Sequence, residues 1–271
     1  MNKILLIILT WITLISTASA TGQEGEHIVW KGQEYQMLTC PLYDCHEFDS
    51  LGRKLEKEWS MTSLWRGYQG HWCIENDMLY LDYIVPKSGE NLYAKDIPEL
   101  RKYCKNGRVA ATWFSDTLRV VSGSTVFYEH MGFNRYYEHE DFIAVKQGKV
   151  VSVKRVENKL IIKGKENDMD AQRKFSQFLA DLGKQLHKRY PEESGRILAN
   201  VRYCNFGLMM MPSDVEVTFL IGQDIQHNNK MMEREIKEKL ANYILANKIL
   251  PLYYLNGKIK SPKWLLPIRL E

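Results

Sequence analysis

Proline is scarce in this sequence: eight residues are scattered over 271, so the chain has no stiff proline-rich spacer. Charge of one sign is scarce too. The formal net charge is +4, and Lys3 is the only charged side chain of the first twenty residues. The bias is too small to mark a nucleic-acid partner. Beyond residue 20 no apolar run approaches the roughly 20 residues that span a bilayer. There is no nucleophile elbow, phosphate-binding glycine loop, zinc-protease helix signature, fixed-period repeat or low-complexity stretch. Those absences count against the common hydrolase, nucleotide-binding and solenoid classes. Cysteine is sparse and odd in number: Cys40, Cys45, Cys73, Cys104 and Cys204. At least one thiol must stay unpaired, and only Cys40 and Cys45, in CPLYDC, are close enough in sequence for a local bridge to be argued.

What is present is ordinary globular composition, 45% hydrophobic and 26% charged, enough for one large domain or two small ones. The first twenty residues, MNKILLIILTWITLISTASA, combine a basic start, an apolar stretch from Ile4 to Ile15 and Ala18 and Ala20 flanking Ser19. This predicts a signal peptide over 1–20, cleaved after Ala20, and a periplasmic or secreted protein with no stable membrane span after cleavage. A retained N-terminal anchor is the alternative.

From 21 to 165 short β-type runs alternate with turn pairs. HWCIENDMLYLDY (71–83) reads as a hairpin about Asn76 and Asp77, with Trp72 facing Leu81, Ile74 facing Leu79, and His71 and Cys73 across from Asp82 and Tyr80 on the other face. Further hairpins are expected at Ser115–Asp116, at Gln147–Gly148 and near Asn158, with 95–107 as the one helical stretch. The result is a mainly antiparallel β domain. Past a polar segment at 163–174 the pattern changes to helix (175–190), strand (215–221), helix (231–247) and a hairpin at Asn256–Gly257. The fold class expected is α+β: an antiparallel β domain over 21–165, then a small two-layer α/β domain over 166–271.

Four pieces carry a resemblance in the second part: RYPEES (189–194), VEVTFLIGQDIQ (215–226), the helix at 231–247, and NGKIKSPKWLLPIRLE (256–271). Together they resemble the periplasmic C-terminal domain of TonB-type energy transducers. That resemblance implies an exposed sheet edge that pairs with a short peptide of an outer-membrane receptor, here at Lys263, Trp264, Leu265 and Leu266. The chain departs from the family in having no proline-rich spacer. The first part, through KGQEYQMLTCPL (31–42), SLWRGYQGHWCIENDMLYL (63–81), ATWFSDTLRV (111–120) and 126–154, resembles an uncharacterised family of exported Bacteroidetes-type β proteins, which implies no activity.

Three groups of residues invite chemistry. His71 and Cys73 share a strand face at a spacing metal ligands use, but a closed site would need Cys104, His130 or Cys45 to arrive from elsewhere. Sheet interior is the preferred reading, with no metal and no cofactor expected. WRGY (65–68) offers Trp65, Arg66 and Tyr68, where Arg66 either recognises a carboxylate or forms a buried ion pair. The segment 128–141 gathers Glu129, His130, Arg135 and Asp141 among tyrosines, a set that could bind or cleave a glycan. The function expected is protein or peptide binding by an exported cell-envelope protein, with a link to TonB-type outer-membrane transport. The partner would be an envelope protein or an outer-membrane receptor peptide. The alternative is a carbohydrate-binding or carbohydrate-active β domain using 128–141. Enzymatic activity is left open, leaning against.

Overall fold

The computed structural model describes residues 22–58, 61–129, 131–165, 167–204, 211–220 and 229–270. The expected signal peptide at 1–20, His130 and the Gly-x-Asp turn after residue 220 lie outside them. The chain divides into two compact units, 1–156 and 157–271.

The first unit contains β1 (Glu26–Trp30), β2 (Gln33–Met37), α1 (Asp49–Glu58), β3 (Tyr68–Glu75), β4 (Met78–Pro86), β5 (Leu92–Tyr93), β6 (Cys104–Lys105), β7 (Arg108–Ala110), β8 (Thr117–Tyr128), β9 (Arg135–Lys146) and β10 (Lys149–Glu157). Strand order is β10-β9-β8-β2-β1-β3-β4, and β10 returns to β4 through Lys149 opposite Met78. Seven strands therefore close into a barrel, with β7, β6 and β5 attached outside the ring through β4. β1 and β3 run parallel, His27 beside His71 and Ile28 beside Trp72.

Alternation explains the core. Ile28 and Trp30 of β1, Tyr68 and Trp72 of β3, Leu79, Leu81 and Ile84 of β4, Leu118 of β8 and Ile143 of β9 are all buried in one cluster. Each such side chain removed from water contributes about 1.5–3 kcal/mol. Asn76 and Asp77 take φ of 49° and 59°, the left-handed pair a two-residue hairpin needs. Trp72 faces Leu81 and Ile74 faces Leu79 as the sequence indicates. The register slips between Trp72 and His71, so His71 faces Tyr83 rather than Asp82. Asp82 is the extra residue of a β-bulge, which turns both Asp82 and Tyr83 outward.

The second unit contains β11 (Lys159–Ile162), α2 (Met169–Arg189), β12 (Gly195–Tyr203), β13 (Val215–Leu220), α3 (Lys230–Asn247), β14 (Leu252–Leu255), β15 (Lys258–Lys260) and β16 (Trp264–Leu270). Asp168 caps α2 by accepting from the amides of Asp170 and Ala171, and Asn229 caps α3 by accepting from that of Met232. Phe175, Leu182 and Leu186 of α2 and Met232, Ile236, Leu240 and Ile244 of α3 share one core with Ile197, Val201, Val217 and Ile268 of the strands.

The expected α+β class, with its two-layer α/β domain, does not describe this chain. Strands hold 44% and helices 31%, and the dominant feature is the closed barrel. The strands of the second unit fall into two sheets, β11-β14-β15 and β13-β12-β16, instead of one layer. Two local causes separate them. Ser261-Pro262-Lys263 stops β15, because Pro262 has no amide to donate, and β16 then pairs with β12 instead of β14. β11, read as the end of the β domain, does not fold back on β10 at Asn158 but pairs with β14. The expected helix at 95–107 is two short 3-10 turns, Ala94–Asp96 and Pro98–Tyr103. The expected strand before Ser115 is turn.

Candidate functional site

The first unit carries a cleft of about 250 Å³ between α1 and the segment 65–68. Pro41–Asp44 form a 3-10 turn with proline at its start, which puts Tyr43 on the surface. Thr62–Leu64 form another, which delivers Trp65 opposite it. The Tyr43 and Trp65 rings stack at 5.4 Å with 19° between planes. Both are exposed, 46% and 49%. Phe48 and Tyr68 meet edge to face at 5.3 Å beneath them. Asp49, Gly52, Arg53 and Glu56 of α1 complete the wall. Gly67 makes this approach possible: its φ is +77°, and a Cβ there would sit 2.2 Å from the Leu55 carbonyl oxygen of α1.

Arg66 lies under the cleft, and its two terminal nitrogens are hydrogen-bonded while its Nε faces Glu26 as an ion pair without a hydrogen bond. Its Nε is 3.3 Å from Glu26 Oε1, and both side chains are essentially inaccessible. Nη1 donates to the carbonyl of Glu24 at 3.0 Å and Nη2 to that of Gly25 at 3.3 Å. Trp72 Nε1 donates to Glu26 Oε2 at 2.5 Å. Burial pushes the Glu26 carboxyl above its ordinary value, while Arg66 and Trp72 pull the other way. Of the two roles the sequence left open for Arg66, the geometry fits the buried ion pair. Cys40 lies beside this pair, and its thiol is pushed up first by burial and then by Glu26. Cys40 and Cys45 are free buried thiols, without a bridge.

The structure thus brings Trp65, Arg66 and Tyr68 to one place, and the described members of the other set do not line it. Glu129 is exposed at the turn between β8 and β9, where it accepts from Asn134 Nδ2. Arg135 donates to the carbonyl of Gln23. Asp141 is buried and accepts twice from Arg155, at 2.9 and 2.6 Å. Its neighbour Glu140 is held by Arg119 at 2.8 Å through each oxygen. None of these described carboxylates lines the cleft.

Among the described residues of the second unit, β16 pairs with β12 alone and ends its sheet; along it Trp264 is half-buried, Leu265 exposed and Leu266 buried, and Lys263 precedes it. Pro267 has no amide hydrogen. Antiparallel alternation therefore turns the backbone groups of 265, 267 and 269 away from β12, toward the open edge. A groove of about 510 Å³ runs between this strand and α2, lined by Leu179, Ala180 and Lys184 on one side and Pro267 and Arg269 on the other. Gly183 of α2 comes so close that a Cβ would lie 1.9 Å from the Arg269 carbonyl oxygen, so the helix covers that end of the edge, and among the described residues no strand pairs with the Leu265 end.

Cys73 is not beside a metal partner of the kind sequence suggested. Its thiol takes a 2.8 Å hydrogen bond from Arg108 and lies 3.5 Å from Asp82, and burial raises it to about 11. Sequence reasoning missed Tyr43 and all of α1. Comparison with protein-family models, with curated proteins and with solved structures gives no match.

Proposed function

We propose that this is an exported cell-envelope protein that acts by binding a protein or peptide, with the Tyr43–Trp65 cleft as the pocket for one anchoring side chain. The carrying observation is the exposed, stacked Tyr43–Trp65 pair over a cleft of about 250 Å³. That volume is below the usual range of small-molecule sites, about 300–1,000 Å³, and suits a single apolar or aromatic residue. Exposed rigid aromatics that pack against an entering side chain are the usual energetic centre of such contacts. Export rests on the residues of 1–20.

The test is selection from a random peptide library on the immobilised full-length protein. Enriched peptides should share one apolar or aromatic position, and Tyr43→Ala and Trp65→Ala should each weaken them by about 30-fold, the loss of roughly 2 kcal/mol expected for a hot-spot aromatic. Peptides that bind both variants as tightly as the parent would sink the cleft.

A second reading, strand addition at the open end of β16, is supported by its one-sided pairing with β12. Leu265→Pro removes an outward amide without touching the β12 ladder. If it abolishes binding of the selected peptides while Trp65→Ala does not, the edge replaces the cleft as the binding element.

A further inference from the structure

Across the outside of the barrel runs a row of side chains from five successive strands: Glu34, His27, His71, Tyr83 and Tyr93. The parallel pairing of β1 with β3 sets His27 directly beside His71, their rings stacked at 4.5 Å. The bulge at Asp82 brings Tyr83 against His71 at 4.3 Å, and Tyr93 meets Tyr83 at 6.0 Å. On the other side Glu34, opposite Val29 in the β1–β2 register, reaches diagonally to His27, Oε1 to Nδ1 3.1 Å.

We propose that Glu34, His27 and His71 form a binding site for a divalent transition metal of the zinc or nickel class. One ligand atom from each lies within 4.8 Å of the others. Ligands about 2.0–2.1 Å from a tetrahedral ion stand roughly 3.3 Å apart, so the His27–Glu34 contact already has the spacing of one edge. Closing the remaining gap requires an imidazole ring to turn out of the stack, since two parallel rings cannot aim lone pairs at one point. Two imidazoles and a carboxylate favour zinc or nickel over calcium or magnesium, which prefer all-oxygen sets. Glu34 is 61% and His27 37% exposed, so the ion can enter from solvent and keep a fourth position for water or a partner's ligand. Both histidines must be neutral to bind, so metal affinity should fall as pH drops. The strands hold both backbones in a paired register, so little ordering remains to be done on binding.

The site differs from the pairing of His71 with Cys73 that the sequence suggests, because Cys73 is engaged by Arg108 and Asp82.

The experiment is titration of untagged, chelator-stripped full-length protein with zinc chloride, then with nickel chloride, against a chromophoric competitor chelator. One equivalent should bind, with zinc raising the melting temperature of the parent. His71→Gln and His27→Gln should each weaken zinc by about 10-fold or more and abolish the thermal shift, while Cys73→Ser behaves as the parent. Circular dichroism of each variant establishes that it is folded, and should one histidine variant fail to fold, Glu34→Gln, at an exposed position, supplies the same readout. The proposal is overturned if the parent holds no stoichiometric metal, if the folded histidine variants bind as the parent does, or if Cys73→Ser is the variant that loses zinc.

Discussion

Arg66→Ala is expected to lower the unfolding free energy by about 3–5 kcal/mol in urea denaturation near pH 7, the cost of stranding one member of a buried ion pair. Glu26 is fully buried and Arg66 2% exposed, so neither can turn to water when its partner is lost. The guanidinium also closes the carbonyls of Glu24 and Gly25, and their loss adds unsatisfied acceptors. The pH dependence has a definite sign. The folded Glu26 carboxyl already titrates above its ordinary value because of burial, so its contribution to stability is fully present below the unfolded value and is lost as pH rises through the folded one. Removing Arg66 takes away the leading influence that lowers this pKa, and the raise grows. The penalty of Arg66→Ala should therefore be smaller near pH 4 than near pH 8. Replacing both partners, Glu26→Leu with Arg66→Met, should recover most of the loss. A penalty under about 1 kcal/mol, or one that does not change with pH, would show that the pair is not buried from water.

Gly183→Ala is expected to destabilise the second unit, although helix propensity alone points the other way. In the middle of a helix alanine is favoured over glycine by about 1 kcal/mol. Here the added carbon would fall 1.9 Å from the Arg269 carbonyl oxygen and 3.0 Å from its carbon. Backbone cannot swing aside as a long side chain can, so α2 must lift from β16. Overpacking of this kind typically costs about 1–3 kcal/mol and here more, since the intruded atom belongs to a paired strand. Hydrogen exchange should register faster opening along β16 and the facing turns of α2, with the first unit unchanged. A variant that gains stability would mean that the helix is not seated on the strand as described.

Legibility in the sequence followed the range of the interactions. The Asn76–Asp77 hairpin was readable because its determinants are local: two residues that accept positive φ, flanked by alternating apolar positions. The helices α2 and α3 were readable from their apolar spacing, and Trp65, Arg66 and Tyr68 were readable as a group because four consecutive residues cannot travel far apart. The other wall of the cleft was not. α1, DSLGRKLEKE, buries only Leu55 and carries Gly52, so its apolar periodicity is nearly silent; Asp49 in its first turn and Lys57 in its last were the only signals. The bulge at Asp82 was equally hidden, and one unpaired residue was enough to exchange Asp82 for Tyr83 as the neighbour of His71. The histidine row depends on residues 27 and 71, joined by a parallel pairing with no connecting turn to announce it. Pro262 is visible in the sequence, but its effect, sending β16 to a different sheet from β15, depends on β12 being available elsewhere.

Closure of the barrel has a consequence for the order of assembly. The ring is sealed where Lys149 meets Met78, with Leu79 N–H donating to the Gly148 carbonyl and Val150 N–H to that of Asp77. These contacts span about seventy residues, and β1 must first find β3 without a hairpin to guide it. Such pairings pay loop-closure entropy before they return any contact energy. The local hairpins β3–β4 and β8–β9 are expected to form before the seam, and in a chain emerging in sequence β5 and β7 cover β4 from Leu79 to Ile84 before β10 is made, so only its Met78 end waits for the last strand. The stretch of β4 left for a second copy of the chain to pair with is therefore short.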